Sequence, residues 1–128
     1  ELNDKEKYDL FCKANKEKKY KEGYSQFIGE LFNNKMISKD TLDQNIDFFV
    51  KNLEESSLED ATSNYVEDLL ICICKLFDTV TNTKEKNVIK EYCGRVLNIK
   101  EHQELPKRLK FKIMDLGDLM KKRNIIIV

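Results

Sequence analysis

Apolar residues recur along the chain at spacings of three and four, the period of an amphipathic α-helix. Six segments carry such a stripe, and polar residues separate them. The predicted helices span about residues 3–22, 24–34, 38–57, 58–80, 88–99 and 104–120. The clearest stripe is that of the second segment, which comprises Tyr24, Phe27, Ile28, Leu31 and Phe32. The pattern predicts a helix, a short polar turn and another helix, repeated along the chain.

Residues at the predicted turns are of the types that begin and end helices. Asn33–Asn34 predicts the end of the second segment, and Ser38 can cap the free N–H groups at the start of the third. We expect Glu54–Ser57 to end the third segment, and Thr81–Thr83 to end the fourth and cap the fifth. Pro106 fits the first turn of the sixth helix, where no backbone N–H is needed.

The fourth segment is apolar almost all the way round between Leu69 and Phe77. A helix of that kind is buried on more than one side, so we expect it at the centre of the domain. The run Ile71–Cys74 alone would also suit a strand, but the helical pattern on both sides favours a helix. Two architectures fit a central helix of this kind: a compact bundle, and a stack of antiparallel helical hairpins of the HEAT type.

Composition narrows the fold class. With 4 Gly and 1 Pro in 128 residues, the chain has too few turn residues for a many-stranded sandwich or barrel. We expect one all-α domain over residues 1–128, with an apolar tail at 124–128. The 23 basic and 23 acidic residues cancel, which disfavours a domain dedicated to RNA.

The hydropathy of the chain and its first residues indicate the cellular compartment of the protein. No apolar run approaches the ~18 residues that a membrane helix needs, and no signal peptide is visible. We therefore expect a cytoplasmic protein without membrane contact. Because the chain begins at Glu1 and not at Met, we also expect a fragment of a longer protein.

Residues with catalytic or metal-binding chemistry are few. The four cysteines include no C-x-x-C pair, and His102 is the single histidine, in a polar run. A structural zinc site wants four Cys or His ligands in close pairs, so we expect four reduced thiols that act as small core residues. No glycine-rich phosphate loop occurs. We predict no catalytic residue, no metal and no cofactor, although paired carboxylates among 23 acidic residues keep a small helical enzyme as the rival class.

Two strings resemble a known family. One is Phe27-Ile-Gly-Glu-Leu-Phe32 followed by Met36, and the other is Leu105-Pro-Lys-Arg-Leu-Lys-Phe-Lys-Ile-Met-Asp-Leu-Gly-Asp-Leu119. They are similar to the best-marked stretches in the later half of the middle domain of eukaryotic translation initiation factor 4G. The apolar run Glu67–Phe77 lies between them, as in that family. Two features depart from the pattern: Lys112 stands within the last stripe, and Lys121–Val128 replaces a Trp-bearing continuation.

This resemblance implies a HEAT-type α-solenoid of antiparallel helical hairpins, of which the chain carries the C-terminal part with about five or six helices. It implies a non-catalytic scaffold in mRNA translation initiation that binds a DEAD-box RNA helicase, initiation factor 4A, and also touches RNA. We expect the scaffold to be a monomer. Sister domains of the same shape serve mRNA decay, splicing and poly(A)-binding-protein interaction, and they form the alternative.

The sixth segment carries the predicted helicase-binding residues. Leu105, Leu109, Ile113, Leu116 and Met120 share one face of this helix, and Phe111 points roughly 150° away from it. The resemblance favours Phe111 as an exposed aromatic anchor, ringed by Lys107, Arg108 and Lys110. The alternative is that Phe111 packs on the preceding repeat.

Other charged clusters have two readings each. Lys16, Lys18, Lys19 and Lys21 are candidates for weak, sequence-independent RNA binding, or they form a solvated helix face. The acidic stretch at 54–60 is a solvated turn or a surface for a basic partner.

Overall fold

The computed structural model describes residues 2–81, 89–102 and 105–125, without the side chains of Lys18, Glu101 and His102. Within these ranges the chain is all-helical and has no strand, as the sequence predicts. The five helices are α1 (Asp4–Asn33), α2 (Lys39–Asp60), α3 (Asn64–Thr81), α4 (Lys90–His102) and α5 (Lys107–Lys122). The predicted caps at 82–83 and the predicted starts at Val88 and Glu104 lie outside the described residues.

Helix α1 joins the first two predicted segments into one helix of 30 residues. It begins in a capping box, in which the Asn3 side chain and the Glu6 side chain each accept a backbone N–H of the other residue. The predicted break near residue 23 is wrong. A single Gly23 costs a helix only about 1 kcal/mol, and neither a proline nor a cap reinforces it.

The end of α1 is where Asn33–Asn34 predicts it. Lys35 then adopts a left-handed conformation with a φ of 61°, and Met36 N–H donates to Leu31 O at 2.8 Å. This hydrogen bond, with that from Lys35 N–H to Phe32 O, makes a Schellman motif. Asn124 has a φ of 60° and closes α5 in the same way.

Helix α2 begins as predicted, because the Thr41 backbone N–H donates to the Ser38 hydroxyl at 3.2 Å. The predicted end at Glu54–Ser57 is wrong, since the helix continues to Asp60. Ser57 is buried and its hydroxyl donates to Glu54 O, so this polar side chain is satisfied on the packed face of the helix. Leu58, which the sequence assigns to the next stripe, ends up on α2 with its side chain exposed.

Helix α3 is the centre of the fold, as its apolar circumference predicts. It packs against α1, α2 and α5, and Leu70, Ile73, Leu76 and Phe77 are at most 1% exposed. Helices α1, α3 and α5 form one layer, while α2 and α4 form a second layer that covers it. Two layers of successive hairpins are the arrangement of a HEAT-type stack, so this architecture applies and the compact bundle does not.

Two arginines tie the layers and hairpins together. Arg95 of α4 reaches α2, where its guanidinium lies 2.5 Å from Glu54 and 3.0 Å from Asp47. Arg123 follows α5 and lies 2.7 Å from the Asp78 carboxylate, and it also donates to the Thr81 hydroxyl at the end of α3. Glu54 is thus paired with Arg95 where α2 meets α4, and it is not a free part of an acidic docking stretch.

The stripe predicted for residues 24–34 is partly wrong. Ile28 and Phe32 are buried and Leu31 is half-buried, but Tyr24 and Phe27 are 48% and 56% exposed. The face of α1 that packs on α3 is set by Ser25, Ile28, Gly29 and Phe32. Ser25 is buried because its hydroxyl is satisfied by Lys21 O at 3.1 Å. A small polar residue therefore occupies a core position where the hydropathy pattern assigns an aromatic ring.

Candidate partner-binding site

Helix α5 starts immediately after Pro106, whose carbonyl accepts the N–H groups of Leu109 and Lys110 at 3.0 and 3.1 Å. Its first turn contains Lys107, Arg108 and Lys110 and has no acidic residue. Cations at a helix N-terminus oppose the positive end of the helix dipole. A local arrangement that opposes helix stability is expected more often at functional sites than elsewhere.

The two faces of α5 separate as the sequence predicts. Leu105, Leu109, Ile113, Leu116 and Met120 are all buried, and Leu109 is fully so. Phe111 is 59% exposed and Met114, one turn further on, is 44% exposed. The alternative in which Phe111 packs on the preceding repeat is therefore wrong. A half-exposed aromatic ring beside cations is the kind of group that anchors a protein partner.

Arg108 is held in place by α3. Its Nη2 atom lies 3.0 Å from Glu67 Oε2, with the Arg108 side chain 57% exposed and that of Glu67 21% exposed. This ion pair orients the guanidinium across the α3–α5 seam. Lys107 is exposed and Lys110 is half-buried, so the structure places all four predicted residues in the first turns of one helix.

A groove of about 330 Å³ follows the same seam between α3 and α5, with Glu22 of α1 at its edge. Apolar side chains in it come from Ile71, Cys74, Leu116 and Leu119, and charged ones from Lys75, Asp78, Lys112 and Asp115. No local sequence pattern indicates the whole of this groove, because its residues come from three helices. The spacing of Arg108, Lys112, Asp115 and Leu119 on one side of α5 was the available signal. Lys112, a departure from the family pattern, is half-buried in this groove.

The thiol in the groove, that of Cys74, is held in its protonated form. Burial raises the pKa of Cys74 to about 12, although the positive charge of Lys112 acts in the opposite direction. At neutral pH it is therefore protonated, and only a thiolate is reactive. In the described parts of the chain no group of three His, Cys, Asp or Glu side chains could hold a metal ion. The groove offers a concave surface with apolar and charged side chains to which a partner can bind.

The lysines predicted to touch RNA lie on α1. Lys16, Lys19 and Lys21 are exposed, and the side chain of Lys18 lies outside the described residues. Lys21 Nζ lies 3.2 Å from Asp68 Oδ2, next to the Glu67 carboxylate that holds Arg108. The two basic sets therefore lie on two different helices that both pack against α3, and each set pairs with one of two neighbouring acidic residues of α3.

A protein-family model matches this chain. The model of the MIF4G domain matches residues 13–123, from the first half of α1 to the residue after α5. The chain belongs to the MIF4G family. A MIF4G domain is a helical scaffold, generally non-catalytic, that occurs in proteins of translation initiation, mRNA decay and splicing. The domain type implied by the two strings is thus confirmed.

Comparisons with curated proteins and with solved structures gave no match. None of the helices in the described ranges has both the length and the apolar character that crossing a bilayer requires.

Proposed function

We propose that this MIF4G domain is a non-catalytic, cytoplasmic scaffold of mRNA translation initiation that binds a DEAD-box RNA helicase of the initiation factor 4A type. The observation that carries the proposal is Phe111, a ring that is 59% exposed within the string that resembles initiation factor 4G. An exposed aromatic residue on a rigid helix is a favourable anchor, because little conformational freedom is lost when it is buried.

The partner surface in this proposal is the first half of α5 with the α3–α5 groove. Phe111 supplies the apolar anchor, while Lys107, Arg108 and Lys110 supply positive charge that steers an acidic partner surface. The apolar floor of the groove, which includes Ile71 and Leu116, extends the contact along the seam. The chain acts as a monomer in this role, and RNA contact by the lysines of α1 is weak and secondary.

A calorimetric titration of the chain with purified initiation factor 4A tests the proposal. We expect saturable binding, and we expect Phe111→Ala to weaken it by about 2 kcal/mol, as for a central aromatic contact. Phe48→Ala is the matched control, since Phe48 of α2 is 62% exposed but lies outside the proposed surface. No binding, or an equal loss for both rings, contradicts the proposal.

The alternative is a MIF4G scaffold of mRNA decay, splicing or poly(A)-binding-protein interaction, because the same domain occurs in such proteins. Capture from a cell lysate followed by mass spectrometry separates the two. Retention of translation factors that is lost in Phe111→Ala favours the first function. Retention of decay or splicing components through the same residue favours the second.

A further inference from the structure

A second groove lies between α1, α2 and α3, and it shares no lining residue with the α3–α5 groove. Its volume is about 430 Å³, and its walls carry the rings of Tyr20, Tyr24, Phe48, Phe49 and Tyr65. Leu69 and Cys72 are buried at its base. We call this the aromatic groove. No part of the partner-binding role argued above uses it.

The rings of the aromatic groove are presented to solvent and are not packed in the core. Tyr20 is 76% exposed, Phe48 is 62% exposed, and Tyr24 and Tyr65 are each 48% exposed. Phe49 is half-buried and meets Phe48 edge to face, with ring centroids 6.0 Å apart, so the two rings pack against each other. Every large apolar side chain that the groove exposes is therefore an aromatic ring, and three of these rings carry a hydroxyl.

Exposed aromatic rings have two common ligands. They anchor protein partners, as Phe111 does in the proposed function, and nucleobases stack on them whatever their sequence. Phe111 is a single ring, whereas the aromatic groove gathers four exposed rings, so that successive bases of one strand can each stack on a ring.

The charge beside the groove supplies the second requirement for nucleic acid. Residues 13–22 of α1 contain five lysines and two glutamates. Lys16 and Lys21 share a surface depression with Tyr20 and Glu17, so two cations and one carboxylate lie beside the outermost ring. Lys21 pairs with Asp68 at 3.2 Å, but its side chain is 48% exposed, and an exposed pair of this kind is weak enough for a phosphate to compete.

We propose that the aromatic groove binds single-stranded RNA, with successive bases stacked on Tyr20, Tyr24, Phe48 and Tyr65. The lysines of α1 neutralise the phosphates on the same side. This inference rests on the RNA contact in the proposed function and assigns it a definite site and ligand class. The lysines alone would bind any polyanion, whereas stacking requires the bases.

The test is fluorescence anisotropy with a labelled oligouridylate of about 12 nucleotides, beside an abasic strand of equal length, since one stacking site covers about 4–16 nucleotides. We expect tighter binding of the oligouridylate than of the abasic strand at equal salt. Because the chain has no Trp, its intrinsic fluorescence comes from tyrosine, and bases stacked on the tyrosines of the groove should quench it.

Substitutions of single rings test whether the preference for the oligouridylate arises in the aromatic groove. Tyr20→Ala and Phe48→Ala should each weaken oligouridylate binding by about 5- to 100-fold and leave the abasic strand within about twofold. Tyr20→Phe should retain binding, because the ring and not the hydroxyl stacks. Phe111→Ala is the control ring, which should change helicase binding and leave RNA binding intact.

Three outcomes would overturn the inference. The wild-type chain could bind the oligouridylate and the abasic strand with equal affinity, or Tyr20→Ala could bind the oligouridylate as tightly as wild type does. The third is that a second copy of the chain occupies the aromatic groove. Sedimentation velocity of the wild type and of Phe48→Ala detects the last of these. If the wild-type chain binds the helicase but does not distinguish the oligouridylate from the abasic strand, this inference alone is refuted. If it prefers the oligouridylate but does not bind the helicase, the helicase proposal alone is refuted.

Discussion

Gly29 of α1 faces Thr79 of α3 so closely that a Cβ atom at position 29 would lie 2.8 Å from Thr79 Cγ2 and 2.9 Å from its Cβ. Thr79 is held in place, since its hydroxyl donates to Lys75 O at 2.9 Å. This contact gives a physical reason for glycine in the string Phe27–Phe32. It lets the two helices approach closely at the crossing that positions α3 for both α1 and α5.

Gly29→Ala should therefore destabilise the domain by about 1–3 kcal/mol, because the helices must move apart. This happens although alanine is the better helix former. Gly23→Ala on the same helix is the matched control, since a Cβ there meets nothing within 4 Å. It should stabilise the domain by about 0.5–1 kcal/mol. Urea unfolding of both variants measures the difference, and a stabilised Gly29→Ala would refute the close crossing.

The two faces of α5 predict opposite costs for two alanine variants. Leu109 is fully buried, so Leu109→Ala should lower the free energy of unfolding by about 2–5 kcal/mol. Phe111→Ala should lower it by about 1 kcal/mol or less, because an exposed ring leaves no cavity. Thermal melts compare them directly. If Phe111→Ala melts as far below wild type as Leu109→Ala does, the ring is part of the core.

Much of this fold follows from local sequence signals. Ser38 and Asn33–Asn34 mark real helix boundaries, and the apolar circumference from Leu69 to Phe77 places α3 at the centre. These signals work because capping and burial depend on a few neighbouring residues. Gly23 fails as a boundary because neither a cap nor a proline reinforces it. Glu54–Ser57 fails because tertiary contacts sustain that part of α2, as the pair formed by Glu54 and Arg95 shows.

Some features of the candidate site follow from the sequence, and others depend on how the helices pack. The exposure of Phe111 follows from the helical period, since Leu109 and Ile113 fix the buried face of α5. The pairing of Arg108 with Glu67 does not, because it joins residues 41 positions apart through a helix packing that no local pattern specifies. The exposure of Tyr24 has the same cause, since Ser25 takes the core position beside it.

The ion pair between Arg108 and Glu67 should matter more for partner binding than for stability. Both Arg108→Gln and Glu67→Gln should change the free energy of unfolding by about 0–1 kcal/mol, because the Arg108 side chain is 57% exposed. Arg108→Glu should weaken helicase binding, and more strongly at low salt, where charge steering is less screened. Titrations at two salt concentrations measure this. A salt-independent loss would argue against a steering role.

The thiols of two cysteines should make the free energy of unfolding depend on pH in the alkaline range. Burial is the main cause that raises the pKa of Cys93 to about 12, from an ordinary value of 9.0, and Cys93 is fully buried. Cys74 is half-buried, and its pKa is raised likewise. Above pH 9 the unfolded chain releases these protons while the folded chain keeps them. The free energy of unfolding must then fall as the pH rises, by about 1.4 kcal/mol per pH unit for each fully shifted thiol.

Cys93→Ala isolates this contribution, because alanine does not titrate. Between pH 8 and pH 10.5 the wild type should lose about 2 kcal/mol more than Cys93→Ala, whatever the cavity costs at pH 8. Val96→Ala is the matched control, since Val96 is another fully buried residue of α4 and its replacement removes no titrating group. Its stability should lie below that of wild type by the same amount at every pH. Urea unfolding across this range gives all three curves, and parallel curves for wild type and Cys93→Ala would show that the Cys93 thiol ionises as readily in the folded chain as in the unfolded one.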